Sequence, residues 1–274
     1  MDGAMGTELM ARGLNLPLPL WSAESKLTDP DVVRSVHQDY VNAGADIIGT
    51  NTFRTTTWTY RKAGFTPKRA AERAKSSLMK AVDLARSANP KITAGSITTI
   101  EDCYEPESFP GRDAAGDTYG ENVEWFKEAG VDVILFETMG HLDEIDVALK
   151  SVNKNKIWLS LIVKNGDHLL SGHPLDSVYE LAKEKVDVLM LNCNTIDKTD
   201  RALAGIIDNW DGDWGVYPNL GLTEPEPDGE MKEKVDDRSF SNIISKYLGM
   251  NPMVIGSCCG STPKHTEMIY KLVK

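Results

Sequence analysis

Residues 44–48 read GADII, and similar stretches return as GVDVI at residues 130–134 and KVDVL at residues 185–189. In each stretch a short apolar run, rich in β-branched residues, follows an aspartate. Glycine commonly ends a helix, and a run of this kind directly after a helix is typical of a buried parallel strand. The repeated pattern therefore predicts a fold built from strand–helix units.

Helical and strand patterns alternate along the whole chain. The helix before residue 44 is the clearest, because Asp29 and Pro30 form its first turn and Gly44 follows its end. Apolar side chains at positions 32, 33, 36 and 40 give it one buried face. Besides the three stretches above, strands are predicted at residues 92–97, 157–163, 214–218 and 253–257. Helices are predicted near residues 31–43, 67–88, 118–129, 141–153, 175–184, 197–208, 237–248 and 263–273.

This alternation gives seven strands, and a (βα)8 barrel needs eight. The natural place for another strand is just before Asp2, where the sequence has only Met1. The acidic stretch at residues 223–237 is predicted to be a long loop, and no change of composition separates two domains. We therefore predict a TIM-type barrel with its first strand truncated or lacking, and one domain over residues 1–274.

The chain carries 30 basic and 41 acidic residues, a formal net charge of −11. Such a charge disfavours nucleic acid and anionic membranes as partners. No apolar run reaches the ~20 residues that cross a bilayer, and no secretory signal is evident at the N-terminus. We expect a cytoplasmic protein that acts on small molecules, and the sequence leaves its oligomeric state open.

Active sites of α/β barrels are built at the carboxyl ends of the strands, so the polar residues there deserve most weight. They are Asp2, Thr50, Asn51, Thr52, Glu137, Thr138, Ser160, residues 192–194, residues 217–219 and residues 257–260.

Three of the four cysteines belong to this set, namely Cys193, Cys258 and Cys259. Three thiolates from two nearby strand ends would hold one zinc ion and leave its fourth tetrahedral position open. The competing interpretation is that the cysteines are buried and inert, since free cysteine is often buried. We prefer that second interpretation only for Cys103, which falls in an irregular acidic loop.

Several stretches together resemble the homocysteine S-methyltransferase family. They are DGAMGTE at residues 2–8, residues 37–53 with AGAD and TNTF, FET at 136–138, NC at 192–193, YPN at 217–219 and GSCCG at 256–260. The likeness spans the whole chain in the family's order, and the paired cysteines are its most specific part. It implies a (βα)8 barrel that transfers a methyl group to the thiol of homocysteine.

The resemblance also implies roles for single residues. The three cysteines would bind zinc, with the homocysteine sulfur at the fourth position and no catalytic residue beyond that activated thiol. Asp2 and Glu137 would hold the substrate's amino group, and Thr50 would fix its amino-acid end. Tyr217 and Asn219 would shape the pocket beside the metal. The alternatives are a solvent-exposed charge for Asp2, a helix cap for Glu137 and an ordinary turn for residues 217–219.

The methyl donor is predicted from three positions. Betaine enzymes of this family surround the quaternary ammonium with aromatic rings, as cation–π attraction favours. Trp21 supplies one such ring here, but Arg54 and Thr138 stand where the betaine enzymes carry tyrosines. An arginine repels a quaternary cation and attracts a carboxylate, so we expect a sulfonium donor, S-methylmethionine or S-adenosylmethionine. Trp21 would face the donor or anchor its own loop.

Other functions remain open at this point. A betaine- or corrinoid-dependent methyltransferase would share the barrel and the zinc, although no corrinoid-binding module accompanies it. A barrel that binds homocysteine or zinc without turnover is a non-enzymatic alternative. An aldolase or lyase would need a Schiff-base lysine at a strand end, and Lys164 is the one such candidate.

Overall fold

The computed structural model describes residues 1–153, 155–226 and 231–274. Its centre is a curled sheet of seven parallel strands, hydrogen-bonded in their order along the chain. The strands are β1 (Ile47–Gly49), β2 (Ile92–Ile97), β3 (Val133–Met139), β4 (Ile157–Leu161), β5 (Val188–Asn192), β6 (Asp213–Tyr217) and β7 (Val254–Ile255). The sheet confirms the predicted TIM-type architecture with a truncated first strand.

Helices cover the outside of the sheet and connect successive strands. They are α1 (Met5–Ala11), α2 (Ser25–Thr28), α3 (Pro30–Asn42), α4 (Thr57–Lys62), α5 (Pro67–Ser87), α6 (Arg112–Ala129), α7 (Leu142–Ser151), α8 (Leu175–Ala182), α9 (Ile196–Asn209), α10 (Asp237–Leu248) and α11 (Pro263–Val273). None of the described helices is both long and apolar enough to span a membrane.

Residues 1 and 2 lie between the two edge strands of the sheet. The amino group of Met1 donates a hydrogen bond to the carbonyl of Ile255 on β7, at 2.9 Å. The N–H of Asp2 donates to the carbonyl of Ile47 on β1, also at 2.9 Å. These two bonds join β7 to β1 through residues 1 and 2.

Side chains along each strand alternate between the inside and the outside of the curled sheet. On β3, Leu135 belongs to an inner cluster with residues of the other strands, whereas Phe136 packs among the helices. Because the period is two, the residue after Phe136 returns to the interior. This places Glu137 inside the barrel at the end where the strands finish.

Helices α1, α2 and α4 were not predicted, and several element bounds differ from the sequence prediction. Two of these differences have a visible cause. Helix α6 begins at Arg112, six residues before the predicted start, because Gly111 adopts a φ of 102° and turns the chain into the helix there. The loop predicted at residues 223–237 ends at Asp236, whose side chain accepts a hydrogen bond from the N–H of Ser239 and caps α10. Residues 227–230 of that loop lie outside the described part of the chain.

The turn from α3 into β1 depends on Gly44. Its φ is 99°, and a Cβ at this position would lie 2.5 Å from the ring of Tyr270 on α11. Gly64 has a similar φ of 92°, but no atom lies within 4 Å of the position that its Cβ would take.

We therefore expect Gly44→Ala to destabilise the fold more than Gly64→Ala. Left-handed backbone costs an alanine about 1–2 kcal/mol at either site, and only Gly44 adds a steric clash. Urea unfolding of both variants measures the difference. Equal losses of unfolding free energy would mean that the contact with Tyr270 has no part in the stability of this turn.

Candidate active site

A cavity of about 550 Å³ opens at the carboxyl ends of the strands. Its volume is in the range of small-molecule sites. The polar residues that line it include Asp2, Thr50, Asn51, Arg54, Asp102, Cys103, Tyr104, Glu105, Glu137, Thr138, Cys193, Tyr217, Glu224, Glu226, Ser257, Cys258 and Cys259.

Three cysteine sulfurs meet in this cavity. The Sγ atoms of Cys193, Cys258 and Cys259 all lie within 4.8 Å of one another. Cys193 follows β5 and the other two follow β7. The structure joins Cys193 and Cys258 in a disulfide with a Cα–Cα distance of 5.6 Å, whereas the sequence analysis expects free thiols. Two side chains that converge at this distance are within bonding reach when no cation separates them.

The donor set fits one zinc ion. Thiolates bind zinc at about 2.3 Å, so tetrahedral geometry needs sulfurs about 3.8 Å apart, which is of the same order as the observed spread of up to 4.8 Å. Burial raises the pKa of the Cys259 thiol to about 11, and the nearby Glu137 adds to the effect. A buried thiol of this kind needs a cation beside it to ionise at neutral pH.

The two cysteine loops are held together by the buried side chain of Asn219. Its Nδ2 donates to the carbonyl of Cys193 at 2.9 Å, and its Oδ1 accepts from the N–H of Cys259 at 3.1 Å. The hydroxyl of Tyr104 donates to the same Cys193 carbonyl at 3.1 Å. Both ends of the Asn219 amide are thus committed to backbone atoms, and the residue lies behind the cavity wall. Asn219 therefore lies beside the cysteine loops, where the sequence predicts that it shapes the pocket, and a direct contact with substrate stays a prediction.

Two carboxyl groups are buried in the same cavity. Ser96 donates to Oε1 of Glu137, and the hydroxyl of Tyr217 lies 3.4 Å from Oε2. Burial raises the pKa of Glu137, against the effect of these two bonds. Burial also raises the pKa of Asp2 to about 8, although the adjacent amino terminus and the N–H of Gly49 oppose the shift. Two buried carboxyls without a described basic side chain beside them form a site for a cation.

The other expected substrate residues also face this cavity. Trp21 stands over Gly6, where an added Cβ would lie 2.8 Å from the indole nitrogen. The Thr50 hydroxyl is within hydrogen-bonding distance of the Thr52 hydroxyl and accepts from the N–H of Ser96. The protein itself therefore uses most of the hydrogen-bonding capacity of the Thr50 hydroxyl. Thr50 lies in the cavity wall.

Four residues around the cavity have left-handed backbone although they are not glycine. They are Trp21, Arg54, Thr138 and Cys193, with φ between 50° and 59°. Such conformations cost about 1–3 kcal/mol each and are concentrated at functional sites. At this end of the barrel the strained backbone lowers the stability of the fold and fixes the geometry of the cavity wall.

Part of the cavity wall was not predicted from the sequence. Asp102, Tyr104 and Glu105 lie in the loop that follows β2. The sequence could have indicated these residues, since their loop also follows the carboxyl end of a strand. Cys103 in the same loop is buried, as expected, and it too lines the cavity.

The family model and the related proteins that match this chain carry the same description. The family model described as homocysteine S-methyltransferase matches residues 1–273. Homocysteine S-methyltransferase of Escherichia coli (strain K12) is 30% identical over 292 residues, which cover 96% of this chain and 91% of that protein. Homocysteine S-methyltransferase 2 of Zea mays is 29% identical over 311 residues, with coverages of 99% and 88%.

A solved structure agrees in fold. The metallated form of the homocysteine methyltransferase MmuM from Escherichia coli superposes with a TM-score of 0.85 at 26% identity, covering 99% of this chain and 94% of that one. The metal in that structure belongs to that protein.

The raised pKa of Asp2 predicts how stability depends on pH. Between the ordinary value of 3.8 and about 8, the native state keeps a proton that the unfolded chain has lost. The stability that this carboxyl contributes is complete below pH 3.8 and is lost as the pH rises to about 8. The slope is at most about 1.4 kcal/mol per pH unit. Asp2→Asn should therefore gain stability over the unaltered protein as the pH rises from 4 to 8.

Urea unfolding at several pH values measures this gain. Asp83→Asn, which changes an exposed carboxyl on α5, serves as the control. A stability difference between Asp2→Asn and the unaltered protein that stays constant over this pH range would contradict the prediction.

Proposed function

We infer the function from one premise: the chain belongs to the homocysteine S-methyltransferase family. We propose that it transfers a methyl group from a sulfonium compound to the thiol of homocysteine and so forms methionine. In this proposal residues 1–274 form one homocysteine-binding barrel, the cofactor is Zn²⁺, and the protein acts in the cytoplasm, where thiols stay reduced.

One observation carries the proposal. Three cysteine sulfurs and two buried carboxyls, those of Asp2 and Glu137, share a single cavity. Homocysteine offers a thiol and an ammonium group. The sulfurs suit the first through a shared metal, and the carboxyls suit the second by charge.

Cys193, Cys258 and Cys259 would hold the zinc. When bound there, zinc supplies an open tetrahedral position and keeps a thiol deprotonated and nucleophilic at neutral pH. Glu137 and Asp2 would bind the ammonium group, which relieves the cost of burying their charge. Tyr217 holds one oxygen of Glu137 toward the cavity.

The reaction needs little further chemistry from the protein. The homocysteine sulfur forms a bond to the methyl carbon, and the bond from that carbon to the donor's sulfonium breaks. Its electron pair goes to the departing sulfur, which leaves as a neutral thioether, and the proton of the homocysteine thiol is released to solvent. The main contribution of the chain is then alignment of the two sulfur atoms with the methyl group.

The cavity wall favours a sulfonium donor over betaine. Arg54 is the only lysine or arginine among the described residues that line it. Its guanidinium would bind the carboxylate of an amino-acid-like sulfonium donor. The wall also contains Trp21, Phe53, Tyr104 and Tyr217, but Arg54 and Thr138 stand where, by the family resemblance, the betaine enzymes carry the tyrosines of their aromatic cage.

A lyase mechanism finds no support in this arrangement. Lys164, which would have to form the Schiff base, is exposed and lies outside the described wall of the cavity. A barrel that binds homocysteine without turnover differs from our proposal only in product formation, so an activity assay separates the two.

We predict one zinc ion per chain in reduced protein. Cys193→Ser, Cys258→Ser and Cys259→Ser should each lose most of the metal, because two thiolates no longer complete the site. Metal analysis of the purified variants checks this expectation. Cys103→Ser serves as the control and should retain its zinc. Full zinc content in all three site variants would refute the assignment.

We predict that purified enzyme forms methionine from homocysteine with S-methylmethionine or S-adenosylmethionine. The rate with betaine should be lower, because Arg54 and Thr138 replace two of the aromatic rings that would surround its quaternary ammonium. Methionine formed from each donor is the measurement. Turnover with betaine that equals or exceeds that with every sulfonium donor would contradict the proposed donor class.

Glu137→Gln tests the acceptor side of the same proposal. Loss of one charged hydrogen bond to the ammonium group should raise the KM for homocysteine by about 10- to 100-fold, with zinc still bound. The matched control is Glu144→Gln, which changes a buried carboxyl on α7 outside this cavity and should leave that KM unchanged. Zinc loss in Glu137→Gln would instead indicate a structural role.

A further inference from the structure

The cavity wall contains an ion pair between Arg54 and Asp102. Nη2 of Arg54 lies 2.8 Å from Oδ2 of Asp102, and the two side chains are 13% and 41% exposed. Both residues line the cavity. Arg54 follows β1 and Asp102 follows β2, so the pair joins two neighbouring strand-end loops.

Each partner is held in place by its own backbone. Arg54 has a φ of 59°, a conformation that an arginine rarely adopts without a constraint. Oδ1 of Asp102 accepts from the N–H of Tyr104 at 2.9 Å, and the hydroxyl of Tyr104 donates to the carbonyl of Cys193. The ion pair is therefore connected to one of the cysteine loops through a single residue.

The pair retains unused bonding capacity. A guanidinium has five N–H donors, and the hydrogen bond to Asp102 is the only one described for the Arg54 side chain. Glu224 and Glu226 also line the cavity, but they are paired with Lys198 and Lys232. Arg54 and Asp102 are thus the one acid–base pair whose members both belong to the described wall.

We propose that this ion pair is the receptor for the α-amino-acid group of the methyl donor. Arg54 binds the donor's carboxylate and Asp102 binds its α-ammonium, so one ion pair becomes two and the net charge of the wall is unchanged. This inference rests on the proposed function and assigns the donor's polar end. It makes Arg54 and Asp102 specificity-determining residues and leaves the acceptor with Asp2 and Glu137.

The ligand class follows from this charge pattern. A sulfonium compound with both a carboxylate and an ammonium group satisfies both partners. A donor with only a carboxylate has to compete with Asp102 for Arg54. A donor with only an ammonium group has to compete with Arg54 for Asp102. We therefore expect S-methylmethionine to be used better than either of two shortened analogues, dimethylsulfoniopropionate and (3-aminopropyl)dimethylsulfonium.

The experiment compares these three donors with Arg54→Met and Asp102→Asn. Arg54→Met should lower kcat/KM by about 10- to 100-fold for the two donors that carry a carboxylate, and little for the aminopropyl compound. Asp102→Asn should lower it for the two donors that carry an ammonium group, and not for dimethylsulfoniopropionate. The KM for homocysteine and the metal content should stay unchanged in both variants.

Lys62→Met is the matched control. Lys62 forms an ion pair with Glu101 at 2.5 Å, which also connects the chain after β1 to the loop after β2 but lies outside the described cavity wall. Lys62→Met should leave kcat/KM unchanged for all three donors. Thermal unfolding of each variant shows that it is folded, and calorimetric binding of S-methylmethionine provides a readout that needs no turnover.

The outcomes separate this inference from the proposed function. Equal losses for all three donors, a raised KM for homocysteine, or the same effect in Lys62→Met would overturn the role of the pair. The same holds if the unaltered protein binds S-methylmethionine no more tightly than Arg54→Met does. An unaltered enzyme that forms no methionine with any donor would instead refute the proposed function.

Discussion

The interior of a curled parallel sheet admits only every second side chain of each strand, and this constraint determines both the core and the site. Below the strand ends, Leu135, Trp158 and Met190 fill the interior with apolar contacts. One step further along the same strands, the interior positions become polar, and Glu137 and Ser160 are among them. The cavity therefore begins where the apolar core ends, on the same rigid backbone.

Groups in the cavity wall that are costly to bury would be stabilised by a bound ligand. The buried carboxyls of Asp2 and Glu137 have raised pKa values because burial disfavours their charged forms. An ammonium group placed between them would reverse that effect. The left-handed residues of the wall belong to the same category, since their strain persists only where surrounding packing enforces it. These groups lower the stability of the fold, but they are already in position to bind a ligand.

Buried polar contacts connect the two sides of the cavity. The side chain of Lys26, fully buried on α2, donates to the carbonyl of Asn51 at 2.5 Å and to the hydroxyl of Thr55 at 2.6 Å. Ser22, next to Trp21, donates to the side chain of Asn51 at 2.8 Å. The segment that carries Trp21 is thereby fixed to the loop that carries Arg54. Asn219 does the same for the two cysteine loops, so both parts of the cavity wall are fixed by buried hydrogen bonds.

The sequence by itself determined the order of strands and helices, since periodicity is a local property of the chain. It also placed the cysteines and Glu137 at strand ends, because parallel strands all finish at one face. Tertiary structure alone decided how side chains pair across that face. The position of Asp2 between β7 and β1, the supporting role of Asn219 and the pairing of Arg54 with Asp102 depend on the curvature of the sheet and on loop conformations. Residues 48 positions apart, as Arg54 and Asp102 are, meet only once β1 and β2 have paired and their loops have folded, and no local pattern encodes that contact.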